Sequence, residues 1–149
     1  MSTAIQYKLI LLAAMLYVSY FHVRAIFFGR KSLNWRSANA VVTKSDIDRE
    51  SGTYHPKIIY RYSVNGQTHI NDTYTFTGTG YIFKKQAIAI SLKHPEGIEI
   101  QIRYNQNNPS QSVMVPGVHW SSYANLAFFL LFFGGLAFAG DIINLISGK

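Results

Sequence analysis

Tyr123 to Gly140 reads YANLAFFLLFFGGLAFAG, eighteen residues without a charge, and the apolar character resumes as far as Ile146. At about 1.5 Å of rise per residue, a helix of this length nearly crosses the roughly 30 Å hydrocarbon core of a bilayer. A chain of 149 residues has no room for a soluble core that could enclose it. The stretch therefore predicts a transmembrane helix, taken as residues 121–146.

A second apolar segment lies near the other end. Leu9 to Phe21 holds thirteen uncharged residues, bounded by Lys8 and by His22 and Arg24. Thirteen is short for a span, but Lys8 and Arg24 can run their stems along lipid and keep their charges at opposite surfaces. Residues 5–28 then become a plausible second span. A cleaved signal peptide is the competing reading, with Lys8 as its charged start and Val23-Arg24-Ala25 as a loose cleavage pattern. The central Arg24 and the IFF that follows are poor cleavage context, so an uncleaved anchor is favoured.

Between the spans, residues 31–120 form one small soluble domain. It carries ten Lys/Arg against six Asp/Glu, so the net charge of +7 is spread along the chain. Arg24, Arg30, Lys31 and Arg36 crowd after the first span, which fits an anchor to anionic headgroups. By the positive-inside rule they place the domain in the cytoplasm and both tails outside. The basic face with interleaved aromatics that nucleic acid requires is missing, and no nucleic-acid partner is expected. With no cysteine, disulfide frameworks, zinc-finger patterns and thiol chemistry are excluded.

The domain reads as mainly β. Ile58, Tyr60, Tyr62 and Val64 alternate with Ile59, Arg61 and Ser63, and Ile98, Ile100, Ile102 and Tyr104 alternate with Glu99, Gln101 and Arg103. Thr68 to Phe76, Ala40 to Ile47 and Val113 to Val115 are three further candidates. Asn65-Gly66 marks a hairpin. A two-residue loop would set each tyrosine against a polar residue, so the pattern predicts a three-residue loop, Val64-Asn65-Gly66, with Tyr60 across from Ile70. Thr77-Gly78-Thr79-Gly80 reads as a loop and KKQAIAISLK as a short helix with Ala87, Ile88, Ser91 and Leu92 on one face, ended by His94-Pro95. Asn105 to Pro109 reads as a turn. The fold expected is two transmembrane helices flanking a small, mainly-β domain of about five strands, a bent sheet or partial barrel.

Several stretches taken in order carry a resemblance: Trp35 with AVVTKSDI, then Tyr54-His55-Pro56-Lys57-Ile58-Ile59-Tyr60-Arg61-Tyr62-Ser63-Val64-Asn65-Gly66, His94-Pro95-Glu96-Gly97, Tyr104 to Pro109 and Ser112 to Gly117. They resemble a widespread bacterial membrane-protein family known as a domain of unknown function. Its pattern runs Tyr-x-Pro-x-Val-x-Tyr-x-Tyr-x-Val-x-Gly, then Pro-x-Gly, then Tyr-Asn-Pro-x-x-Pro, between two spans. Gln106 stands where the family commonly has proline. The resemblance implies an architecture and a bacterial inner-membrane location, and brings no activity with it.

Five histidines invite a metal or catalytic reading, but His22, His55, His69, His94 and His119 are scattered, with His69 expected on the outer face of its strand. Asp46, Asp48 and Glu50 read as a solvated loop lacking the glycine and terminal glutamate of a calcium loop. No nucleophile elbow or phosphate loop is present. No catalytic residue, metal or cofactor is therefore expected. The function expected is a non-enzymatic, membrane-anchored module that binds a partner protein, which could be a second copy, or stabilises a larger membrane complex. The alternative is an immunity protein guarding the inner membrane against a membrane-acting toxin.

Three groups of residues carry structural expectations. Trp35, Trp120 and Tyr123 are candidate interface anchors, with Tyr17 or Tyr20 as weaker ones. Gly134, Gly135 and Ala139 give the second span a small face able to approach the first span or another subunit. Lys8 and Asp141 each lie about 30 Å from the domain end of their span. They either pair, holding the spans in register, or reach water separately.

Overall fold

The computed structural model describes residues 3–147 except 79, 80 and 82. Eight elements follow in order: α1 (Thr3–Ser32), β1 (Arg36–Glu50), β2 (Thr53–Val64), β3 (Gln67–Asn71), α2 (Lys84–Lys93), β4 (Glu99–Asn105), β5 (Asn108–Val113) and α3 (Trp120–Ile146). Two apolar helices thus flank a five-stranded antiparallel sheet with one short helix. Part of the expected 77–80 loop, at 79 and 80, falls outside the described residues, as does Lys149.

The chain divides into two compact units. One joins the residues up to Ile26 with those from His119 onward, and the other is Phe27–Val118. In the first, α1 and α3 pair antiparallel. The His22 ring lies 5.1 Å from Phe129, and the Lys8 ammonium lies 5.7 Å over the Phe138 ring. Ile5–Ser32 and Trp120–Ala139 are each long and apolar enough to cross a membrane, by length and composition, and almost none of either is buried.

In the second unit the sheet order is β3-β2-β1-β4-β5. Hairpin chemistry fixes two of its joints. Asn65 and Gly66 (φ 53° and 77°), like Ser51 and Gly52 (φ 48° and 82°), occupy the left-handed region that two-residue turns require. The first turn overturns the expected register. Tyr60 faces Asn71, Tyr62 faces His69 and Val64 faces Gln67, while Ile70 pairs with Arg61 and is 67% exposed. The expectation assumed that apolar residues must face apolar residues. Instead the inward side of β3 is polar: the His69 ring packs 5.4 Å from Tyr62 with its buried Nε2 making no hydrogen bond among the described residues, and Asn71 is bonded as described below. His69 therefore lies inside the curve of the sheet.

A β-bulge between Val42 and Lys44 decides the shape of β1. Before it, Ala40 and Val42 point into the core; after it, the half-buried positions are Ser45 and Ile47. One extra residue switches parity, so Ile47 stays on the inner face although it is five positions from Val42. The acidic run expected as a loop is accordingly strand: Asp46 pairs with Lys57 and Asp48 with His55. Beyond the bulge, β1 and β2 continue as a two-stranded arm.

The core lies in the concave side of the sheet, where Ala40 and Val42 meet Ile58, Tyr60, Tyr62, Val64, Ile102 and Met114. The sheet is open, since no ladder joins β3 to β5. A flat sheet of this order would hold those two edges about 19 Å apart, at about 4.8 Å per strand. They instead meet. Met114 N–H donates to Thr73 O (3.1 Å), Val115 N–H to Tyr74 O (2.8 Å), and the Asn71 side-chain amide to Ser110 O and Ser112 O (3.2 and 3.3 Å). From inside, the Tyr60 hydroxyl bonds Ser112 Oγ at 2.9 Å. The fifth strand begins at Asn108, earlier than the 113–115 expected, with Gln106-Asn107 as its turn.

Helix α2 forms where expected but buries a different face. Ala87 is fully buried and Ile90 packs on the core, whereas Ile88 and Leu92 lie outside. The phase of the helix is set by His94, whose Nδ1 bonds Ile90 O at 2.9 Å while its ring meets Tyr74 edge-on. The ends of the domain are clasped by Gly29, Ser32 and Gly117. Gly117 N–H donates to Gly29 O and to Ser32 Oγ, and a Cβ at Gly29 would sit 2.6 Å from Gly117 O.

A candidate binding groove beside the β1 edge

Beyond Val42, among the described residues, β1 has a strand on one side only. The β4 ladder stops at Val41–Glu99, with Val42 extending it through bonds to Gly97 and Ile98. On the far side of the arm, Tyr54 exchanges both of its backbone bonds with Tyr81. Its β1 neighbour Arg49 therefore belongs to a non-bonded pair and turns its own N–H and C=O outward. Alternation carries the same direction to Ile47, opposite Pro56, and to Ser45, opposite Ile58. Pro56, which has no N–H to give, fits this position.

The outward amides are met by carboxylates of the same neighbourhood. Ile47 N–H donates to Asp46 Oδ1 (2.8 Å), Arg49 N–H to Asp48 Oδ1 (2.9 Å) and Ser45 N–H to Glu96 Oε1 (3.4 Å). The Ile47 amide, helped by Lys44, holds Asp46 below the usual carboxylate range. Lys44 and Lys57 stand 3.6 Å from Asp46 and Asp48.

Between this edge and α2 runs a groove of about 400 Å³. Ile47, Ile88, Leu92 and Pro95 give it apolar walls, and Asp46 and Glu96 are its charged residues. Leu92 is 75% exposed and Ile88 36%. Two hydroxyl bonds, Ser45 Oγ to Ser91 O and Ser91 Oγ to Asp46 O, fix α2 against the strand (3.2 and 3.1 Å). Sequence reasoning missed this groove. The signal was there in Val42 and Ile47: both apolar, they are an odd number of residues apart, which a regular strand cannot place on one face.

The residues singled out from the sequence lie elsewhere. Lys8 Nζ stands 2.5 Å from Asp141 Oδ2, both side chains partly exposed. Gly135 was expected to let α3 approach α1 or another subunit; within the chain, a Cβ at Gly134 or Gly135 would meet nothing within 4 Å. The small residue buried in α3 is Ala137, while Ala139 is half-buried. Trp35, expected as an interface anchor, is only 5% exposed, its ring edge-on to Phe76, so protein occupies the surface that headgroups would need. Trp120 is 72% exposed and Tyr123 is also exposed, both in the first turn of α3. Among the described residues no three His, Asp or Glu side chains are grouped to hold a metal ion.

No curated protein and no solved structure matches the chain. A family model does, over residues 37–119, which is more than half of the chain and takes in α2 and all of the sheet but Arg36. The match includes the bulge, the arm and both walls of the groove. The chain thus belongs to the family described as Domain of unknown function (DUF3592).

Proposed function

We propose that the chain is a membrane-anchored, non-enzymatic module that binds a partner protein through the groove between β1 and α2. The observation that carries this reading is the exposed apolar wall of Ile88 and Leu92 beside Ile47. Apolar side chains cost free energy when left in water, and a folded domain that keeps two in one groove favours an occupant. The anchor is α1 with α3, both long enough to span, apolar outward and joined at Lys8–Asp141. Arg24, Arg30, Lys31 and Arg36 favour the cytoplasmic side of the cell membrane for the domain.

A photo-crosslinking residue at Leu92, compared with one at exposed Gln101 on β4, tests the partner site in cells. One discrete adduct at Leu92, absent at Gln101 and lost with Ile88→Asp, is expected. Equal labelling at both positions would remove the reading. The absence of cysteine permits clean single-cysteine reporters for the anchor. Ser63→Cys should resist, and Ser147→Cys accept, an impermeant thiol reagent added to intact cells. Labelling of both from outside would refute two crossings with an internal domain. For the helix pair, reversal of Lys8 or Asp141 alone should weaken assembly and reversal of both should restore it.

A further inference from the structure

We infer that the outer edge of β1 accepts an extended peptide as an added strand, its alternate apolar side chains entering the groove beside Ile88 and Leu92 and a basic side chain meeting Asp46 and Glu96. The inference rests on the groove being the partner site and specifies what the partner must present. Two features on one edge carry it. Ile47 and Arg49 turn N–H and C=O outward with no strand beside them among the described residues, and the only acceptors at those amides are carboxylates one residue back. A carbonyl of an added strand can replace each carboxylate, which then returns to water or meets a cation. Ile47 of that edge lines one groove with the apolar wall of Ile88, Leu92 and Pro95, and an added strand would turn every second side chain to the same face. Main-chain bonds supply affinity in such complexes, and the pockets for alternate side chains supply selection.

Charge defines the occupant further. The groove is lined by two carboxylates and no base, with Lys44 outside the lining reaching only Asp46, in a chain with twice as many basic as acidic residues. A second copy of the chain fits poorly. Antiparallel pairing of two β1 edges through their outward residues, centred on any one of residues 46 to 49, sets carboxylate against carboxylate, such as Asp46 against Asp48, and like charges directly opposed are destabilising. A foreign strand with alternating apolar and basic residues meets neither objection.

The probe is an acetylated nine-residue peptide of alternating lysine and valine, with a fluorophore, titrated into the full chain in non-ionic detergent. Its analogue carries N-methyl groups on every second amide, which removes the donors on one edge. The parent should bind and protect the Ile47 and Arg49 amides from exchange; the analogue should lose at least tenfold. Arg49→Pro removes one outward N–H and leaves the β2 ladder intact, so it should also lose at least tenfold, while Arg49→Ala, which keeps the amide, should bind as the parent chain does. Leu92→Glu should abolish binding. Equal binding of the N-methylated peptide, or of Arg49→Pro, with Leu92→Glu still defective, would overturn strand addition and leave the groove as a partner site. Binding unchanged in all variants would overturn both. Absence of any binding at millimolar peptide, or protection of the two amides by self-association without peptide, would overturn strand addition.

Discussion

The sheet treats its edges in two different ways. Where β3 and β5 approach, the edges are consumed: two backbone bonds, the Asn71 amide and the Tyr60 hydroxyl bridge strands that no ladder joins. Along the arm, the outer side of β1 is only shielded, by aspartates that bond their own chain one residue on. The first arrangement is costly to undo because several groups would be left buried and unmatched. The second costs little to undo, because water or an incoming backbone can replace an exposed carboxylate. An edge held by its own side chains is thus compatible with solubility and with later occupation.

The sharpest way to break the closed edge is Asn71→Leu. The Asn71 amide donates to Ser110 O, Ser112 O and Ser112 Oγ, and its carbonyl accepts from Asp72 N–H, Thr73 N–H and the Thr73 hydroxyl. Leucine has similar volume and none of these groups, so the domain should lose about 2–4 kcal/mol. Urea unfolding followed by the fluorescence of buried Trp35, in a Trp120→Phe background, measures this directly. A loss under about 1 kcal/mol would mean that the edges are held by something other than Asn71.

This contrast also marks what the sequence could reveal. Apolar length announced both helices, and period-two alternation announced β2 and β4, because those patterns are local. The Asn65-Gly66 turn was equally local, yet the register derived from it was wrong. Facing His69 and Asn71 to tyrosines makes sense only once β5 has curled round to bond Asn71. Polar groups satisfied by a strand some forty residues away leave no trace in neighbouring residues. The groove had a partial trace, the odd spacing of Val42 and Ile47, but recognising a bulge there required the β2 register. The burial of Trp35 was hidden for a related reason, since a tryptophan near a span end can pack on Phe76 as readily as on lipid.

A smaller loss at the same closed edge is expected from Tyr60→Phe. Ser112 Oγ keeps the Asn71 bond and Thr73 O keeps the Met114 bond, so about 1 kcal/mol should go. The hydroxyl also makes the closure sensitive to alkali. Burial raises the Tyr60 pKa well above the ordinary 10.0. The folded chain therefore holds this proton more tightly than the unfolded chain does. Its contribution is complete below about pH 10 and falls as pH rises toward the folded value. Stability of the parent should decline steeply above that pH, and the Tyr60→Phe variant should decline less. Parallel slopes would assign the alkaline loss to other groups, Tyr62 and Tyr74 among them, whose pKa values burial also raises.

The open edge should show the smallest effect and a distinctive one. Asp46→Asn with Asp48→Asn should leave the urea unfolding midpoint almost unchanged, since both side chains are exposed and the amides can turn to water. The difference lies in how the amides respond to acid. Asp46 is held below its ordinary value of 3.8, first by the Ile47 amide and then by Lys44. A lowered carboxylate stabilises the fold above the unfolded pKa and ceases to do so as pH falls through the folded one. The Ile47 amide resonance should therefore shift on acidification with a midpoint below 3.8, and the Asp46→Asn variant should lack that transition. The domain itself should remain folded throughout, because the bonds that close its other edge come from backbone, amide and hydroxyl groups and none from a carboxylate. A midpoint at or above 3.8 would show that the carboxylate does not cover the amide in solution. The edge would then be as bare in the free protein as strand addition requires it to become, and binding would begin without displacing Asp46.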